Sequence, residues 1–228
     1  MCRRYCADVI TLLIATRNVH KAGEIRAILG GRFQFLTLND FHGAPEVVED
    51  APTFAGNATK KAVELAKWLQ RQFPGSQTPD TRPDFVLADD SGLEVDVLDG
   101  APGVHSARFA ALDSAKSGNT PDADNNTKLL RLLNDVPPEK RAARFHCVIA
   151  LAEISPHSAL RTPPLFDGVC EGRILFEPRG KNGFGYDPLF VPVGFEQTFA
   201  ELDEDIKNKL SHRAKALEKL RTFLTTRA

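Results

Sequence analysis

Long apolar runs are missing from this 228-residue chain. No stretch approaches the ~20 apolar residues of a membrane-spanning helix, so a helical membrane protein is not expected. An excess of one charge is missing too: 29 Lys and Arg stand against 30 Asp and Glu, a net charge of −1. That balance argues against charge-driven binding to nucleic acid polymers or acidic membranes and leaves room only for a local basic pocket. Cysteine is scarce. Cys2, Cys6, Cys147 and Cys170 form no CxxC pair and no ligand cluster, which excludes a zinc site and a disulfide framework and points to free thiols in a reducing compartment. There is no internal repeat, no low-complexity segment and no clean linker. Arg3-Arg4 precedes an apolar run, but Val9 to Ala15 is short, contains Thr11 and is followed by a polar motif; it reads as a first strand and not a targeting segment. The expectation is a cytoplasmic enzyme or binding protein. Residues 1–228 are expected to form one domain, with a frayed stretch over the first eight and a possible hinge at Pro137-Pro138.

What is present is an alternation of strand-like and helix-like stretches, the signature of an α/β fold. After the strand at Val9 to Ala15, His20 to Leu29 reads as a helix ended by Gly30-Gly31, and Phe33 to Leu38 as a second strand. Thr53 is a good N-cap for a long helix from Phe54 to about Phe73, with Ala62, Leu65, Ala66 and Leu69 as its buried stripe. Phe85 to Ala88 is a buried strand expected to stop at Asp89-Asp90-Ser91-Gly92, with a separate strand over Leu93 to Leu98 and a turn at Gly100 to Gly103. A helix over Asp124 to Asn134, strands over Ala143 to Ile154, Gly168 to Phe176 and Phe190-Val191, and a helix from Ser211 to Phe223 complete the chain. Loops are expected over Pro74 to Pro83, Ala111 to Asp122 and Ser155 to Pro164.

Five stretches carry chemistry. Adjacent strand residues face opposite ways, so one carboxylate of Asp89-Asp90 faces a given site, where it can hold Mg²⁺ or take a proton from water. The same pair would also suit a solvated turn. Thr16-Arg17-Asn18-Val19-His20-Lys21 joins a strand to a helix N-terminus, a place that suits phosphate, with Asn18 and Lys21 spaced to reach one anion. It is not the P-loop, whose GxxxxGK[ST] pattern is absent. Glu46, Glu49 and Asp50 form an acidic loop, one member of which could share a hard cation with Asp90. Gly183-Phe184-Gly185-Tyr186-Asp187-Pro188 sets aromatics among glycines and offers a flat face to a purine. Ser211-His212-Arg213, with Lys207 upstream, places cations at a helix start, a rule violation more often found at functional sites.

Together these stretches resemble the inosine triphosphate pyrophosphatase family, hydrolases of non-standard purine nucleoside triphosphates. Thr16-x-Asn18-x-x-Lys21-x-x-Glu24 resembles its first motif and Thr53-Phe54-x-x-Asn57-Ala58-x-x-Lys61-Ala62 its second. Ala88-Asp89-Asp90-Ser91-Gly92-Leu93, followed by Gly100-Ala101-Pro102-Gly103 and Ser106-Ala107-Arg108, is the most specific match; the last two are Gly183 to Pro188 and Ser211-His212-Arg213. The resemblance runs from about Val9 to Leu224. It implies an elongated, two-lobed α/β fold, with a twisted mixed sheet flanked by helices and a cleft between the lobes, and a homodimer.

By residue, the resemblance implies that Thr16 to Lys21 hold the triphosphate and that Glu49 and Asp90 bind Mg²⁺, Asp90 also being the proton acceptor. Ser91, Phe184, Gly185, Tyr186, Asp187, Lys207, His212 and Arg213 would contact the substrate. The reaction would be attack of water on the α-phosphorus of dITP, ITP or XTP. Two departures stand out: Gly56 occupies a position where the family usually has glutamate, and His105 one where tyrosine is commoner. A Maf-type pyrophosphatase is disfavoured by the opening motif, and a non-catalytic nucleotide-binding protein by the presence of Glu49, Asp90 and Lys21.

Overall fold

A computed structural model describes residues 9–73, 82–113, 118–154 and 161–226. The expected frayed N-terminus with Cys2 and Cys6, and much of the 74–83 and 155–164 loops, lie outside these residues. Six strands form one mixed sheet: β1 (Thr11–Ile14), β2 (Gln34–Thr37), β3 (Phe85–Val95), β4 (Ala142–Glu153), β5 (Leu165–Ile174) and β6 (Phe190–Pro192), in the order β2-β1-β3-β4-β5-β6. The β2-β1-β3 part is parallel, and β3 to β6 run antiparallel. The helices are α1 (Val19–Leu29), α2 (Phe54–Gln72), α3 (Asp122–Leu132), α4 (Glu204–Leu210) and α5 (His212–Thr225). Among the described residues no helix is long and apolar enough to cross a membrane.

Side-chain alternation sorts the core. Val86 and Ala88 of β3, with Val148 and Ala150 of β4, meet the stripe of α2 made by Phe54, Ala58, Ala62, Leu65, Ala66 and Leu69. Leu87, Cys147 and Ile149 point the other way, onto Ala22, Ile25 and Leu29 of α1 and Ala216, Leu217 and Leu220 of α5. Further along the same strands Leu93, Val95 and Phe145 enter a third cluster with Leu129 of α3, Tyr186, Phe190 and Phe199. β3 and β4 thus run from the first two cores into the third, and Asp89 and Asp90 sit at the crossing.

Most of the expected elements form. Thr53 caps α2, accepting from the Gly56 N–H at 3.1 Å, and Ser211 caps α5, accepting from the Ala214 N–H at 3.2 Å. One expectation fails: no strand stops at Asp89. β3 continues through Asp89, Asp90, Ser91 and Gly92 to Val95, in register with β4 (Asp89 opposite Ile149, Asp90 opposite Val148), and the separate strand over Leu93 to Leu98 is its far end plus a 3₁₀ turn at Asp96–Leu98. α4 was not anticipated. Pro137-Pro138 is flanked by a stitch: buried Arg141 donates to the carbonyls of Leu133 and Leu175 at 2.7 Å and of Ile174 at 2.9 Å.

Candidate active site

Asp89 and Asp90 lie at the middle of β3, both buried, on opposite faces of the sheet. Asp89 faces α1 and α5. Its Oδ1 accepts from Lys21 Nζ at 2.7 Å and from the Ser91 hydroxyl at 3.3 Å; its Oδ2 accepts from Arg213 Nε at 3.2 Å and from Cys147 Sγ at 3.0 Å. Burial alone would push this carboxyl up, but Arg213 and Lys21 hold it well below the usual range.

Asp90 faces α2. Its Oδ2 accepts from Asn57 Nδ2 at 3.0 Å and its Oδ1 from the Ser91 backbone N–H at 3.1 Å. Among the described residues no Lys or Arg bonds it directly. Burial, reinforced by the negative charge of Glu49 and opposed by Lys21, Asn57 and Lys61, pushes it up to about 6. One strand therefore carries two adjacent carboxylates of opposite temper, a common mark of acid–base sites.

On the α1/α5 side three cations and three carboxylates interlock. Lys207 Nζ bonds Glu24 at 2.7 Å and Asp187 at 2.6 Å. Arg213 bonds Glu24 as well as Asp89, and its Nη2 donates to the Ser91 hydroxyl at 2.9 Å. Burial works against the Lys21 and Lys207 ammonium groups; carboxylates offset it, Asp89 and Asp90 for Lys21 and Asp187 and Glu24 for Lys207, so both stand above their ordinary values. The Phe184 ring lies under these cations, 5.1 Å from Lys207 Nζ, and stacks on His20 at 5.7 Å and 21°. His212 is buried flat against Phe145, ring centroids 4.8 Å apart, and burial together with Arg213 holds its pKa well below the ordinary value, so it is neutral. Its Nδ1 has no hydrogen-bond partner among the described residues.

On the α2 side the acidic loop folds down onto the helix. Glu49 pairs with Lys61, whose Nζ also donates to the Asp89 carbonyl at 3.2 Å. Asp50 pairs with Lys60 at 2.6 Å, and Glu46 is exposed. Among the described residues no three His, Cys, Asp or Glu side chains gather into a ready metal cage. Two oxygen donors, Glu49 and Asp90, suit a hard cation that takes its remaining ligands from water and phosphate, as Mg²⁺ does.

A model of the Ham1 family matches residues 12–223. The chain belongs to the Ham1 family. It is 47% identical over 214 residues to the dITP/XTP pyrophosphatase of Desulforamulus reducens, covering 93% of this chain and 94% of that protein. The dITP/XTP pyrophosphatase of Shouchella clausii is 43% identical over 210 residues, 92% of this chain and 94% of that one. Among solved structures, a HAM1 protein from Coxiella burnetii superposes with a TM-score of 0.75 at 38% identity, over 95% of this chain and 99% of that one. These matches agree with the resemblance drawn from the five motifs.

Within this Ham1-family chain the structure brings Lys21, Ser91, Phe184, Asp187, Lys207 and Arg213 together around Asp89, with His20 stacked on Phe184 and His212 beside Arg213. Several residues sit otherwise than their spacing suggested. Asn18 Oδ1 caps α1, accepting from the N–H groups of His20 at 2.9 Å and Lys21 at 3.2 Å, while Thr16 accepts from the Asn18 N–H at 3.1 Å and Arg17 donates to the Ala44 carbonyl at 3.2 Å. Asn18 and Lys21 therefore point to different partners, and Val19 is exposed. Tyr186 turns into the core, its hydroxyl donating to the Ser106 carbonyl at 2.9 Å. His105 is exposed.

Sequence reasoning gave no role to Glu24, Asn57, Lys61, Asp89, Arg108 or Cys147. Five lie inside quoted motifs, so a polar residue at fixed spacing within a motif was the available signal. Arg108, which donates to the Glu49 carbonyl at 3.0 Å, follows the turn in the same way. Cys147 carried no signal, since only the pairing of β4 with β3 brings it to Asp89.

Proposed function

We propose that the protein hydrolyses non-standard purine nucleoside triphosphates (dITP, ITP and XTP) to the nucleoside monophosphate and pyrophosphate, with Mg²⁺ held by Glu49 and Asp90. The observation that carries this reading is the opposed pair on β3. Asp89 gathers cations on one side, and Asp90 keeps an oxygen free of cations on the other, beside Glu49. The names of the curated relatives support the substrate class.

In this reading Lys21, at the head of α1 with Thr16 to His20, receives the triphosphate and exchanges its pairing with Asp89 for phosphate oxygens. Asp90 accepts a proton from the attacking water, a role that a carboxyl near pH 6 fills while staying mostly ionised at neutral pH. The bound cation would neutralise charge on the phosphates and orient them for attack at the α-phosphorus. Phe184 offers its ring to the base, with Gly185, Tyr186 and Asp187 shaping the loop beneath it. Gly183 stands at φ +73°, and a Cβ there would meet Asp187 Oδ2 at 2.1 Å, so the loop admits no side chain at that point.

Hypoxanthine and xanthine carry a 6-oxygen where adenine carries an amino group. The Arg213 guanidinium and the unpartnered Nδ1 of His212 support recognition by hydrogen bonding, because a mismatched base would leave a buried polar group unpaired at about 1–3 kcal/mol. We read residues 1–228 as one catalytic domain acting as a homodimer on the cytoplasmic nucleotide pool, protecting DNA and RNA from the altered bases. Pyrophosphate release with Mg²⁺ from ITP, dITP and XTP, compared with ATP, GTP and the pyrimidine triphosphates, tests the reading. Preference for the first three supports it, and equal turnover of ATP or no turnover at all overturns it.

A further inference from the structure

Asn57, in the second motif, hydrogen-bonds to both the strand and the loop of the α2-side site. It is buried at 1% exposure in the first turns of α2. Its Oδ1 accepts from the Ala51 N–H at 2.9 Å, and its Nδ2 donates to Asp90 Oδ2 at 3.0 Å. Both ends of the amide are thus engaged and its orientation is fixed: only the nitrogen can face the carboxylate and only the oxygen the N–H. Ala51 lies two residues beyond Glu49. The amide therefore links the catalytic strand to the loop that carries the second carboxylate.

Two neighbours make the link short. Gly56 lets the loop descend, since a Cβ at position 56 would lie 2.7 Å from Ala51 Cβ. Lys61, one turn further on the same face of α2, pairs with Glu49. The glutamate expected at position 56 would collide with Ala51, so the departure at Gly56 and the hydrogen bond from Ala51 are two sides of one contact.

We propose that Asn57 is a positioning residue that sets the separation of Asp90 and Glu49 and, by holding Asp90 Oδ2 while the Ser91 N–H holds Oδ1, fixes how the carboxylate presents its remaining lone pairs to cation and water. The inference rests on the reading of Glu49 and Asp90 as metal ligands. Side chains that orient metal-binding groups in this way typically control affinity or activity about 10- to 100-fold. Asn57 itself touches no cation-binding or base-binding group of the α1/α5 side.

The test uses the full chain with Asn57→Ala, which removes both hydrogen bonds, and the near-isosteric Asn57→Asp, which keeps an acceptor for the Ala51 N–H but turns an oxygen toward Asp90. Mn²⁺ is titrated without nucleotide and followed by the EPR signal of the free ion. In parallel, kcat and KM for ITP are measured at saturating Mg²⁺. Asn57→Ala is expected to weaken Mn²⁺ binding and lower kcat about tenfold or more, with KM for ITP within about threefold. Asn57→Asp is expected to lower kcat at least as far. Mn²⁺ affinity equal in all three proteins overturns the proposal, as does a rise in KM with kcat preserved. A parent chain that turns over no triphosphate overturns the proposed function, and the Mn²⁺ comparison still decides the role of Asn57.

Discussion

Replacing Asp90 by asparagine should remove activity and stabilise the fold. Asp90 is buried with one amide and one backbone donor but no direct cation, beside Glu49. Its carboxyl moves from an ordinary value of 3.8 to about 6 on folding. At about 1.4 kcal/mol per pH unit, the ionised form costs the folded protein on the order of 3 kcal/mol. The sign follows from proton counting: between the two values the folded chain binds more protons than the unfolded one, so stability is lost as pH rises from about 4 to 6 and stays lost above. Asp90→Asn carries no such charge. Urea unfolding in EDTA should show the variant more stable by about 3 kcal/mol at pH 8, with the gap closing toward pH 4. Mg²⁺, binding only the folded parent, should narrow the gap at pH 8. Turnover should drop by several orders of magnitude, because base and ligand charge vanish together. A variant equal to the parent in stability at pH 8, or one retaining near-normal turnover, would refute this account of Asp90.

Other consequences follow from the same geometry. Arg213→Met leaves buried Asp89 and Glu24 short of a cation, and should destabilise the protein by about 3–5 kcal/mol in denaturant titrations. Phe184→Leu removes the stacking face and should raise KM for ITP by roughly 1–3 kcal/mol, about 5- to 150-fold, with kcat little changed in steady-state kinetics. Cation binding should weaken as pH drops through about 6, where cation-free Asp90 takes a proton, and a Mn²⁺ affinity unchanged between pH 8 and pH 5 would remove Asp90 as a ligand. Gly56→Ala forces its Cβ against Ala51, and Mg²⁺ titrations should show weaker activation with KM for ITP preserved.

Much of this fold was legible because apolar periodicity and end signals agreed. Thr53, Ser211 and Gly30 mark helix ends where side-chain caps or a helix-ending glycine are found, and the stripe of α2 follows its spacing. The error at Asp89-Asp90 has a physical cause. Buried acids can continue a strand when their oxygens find partners, and here Lys21 and Arg213 neutralise Asp89 while Cys147 and Asn57, also from distant elements, donate to Asp89 and Asp90. α4 was missed because only Lys207 among its seven residues is buried, so no apolar face announces it. The cation network was only partly visible for the same reason: Glu24 and Lys207 are 183 positions apart, and the sheet order brings them within 2.7 Å.

The central claim is that water attacks the α-phosphorus of a non-standard purine triphosphate. Hydrolysis of ITP in ¹⁸O-water, with products resolved by mass spectrometry, tests it most directly. The account requires the label in inosine monophosphate and none in the pyrophosphate. Label in pyrophosphate, or release of labelled orthophosphate from the γ-position, would contradict it.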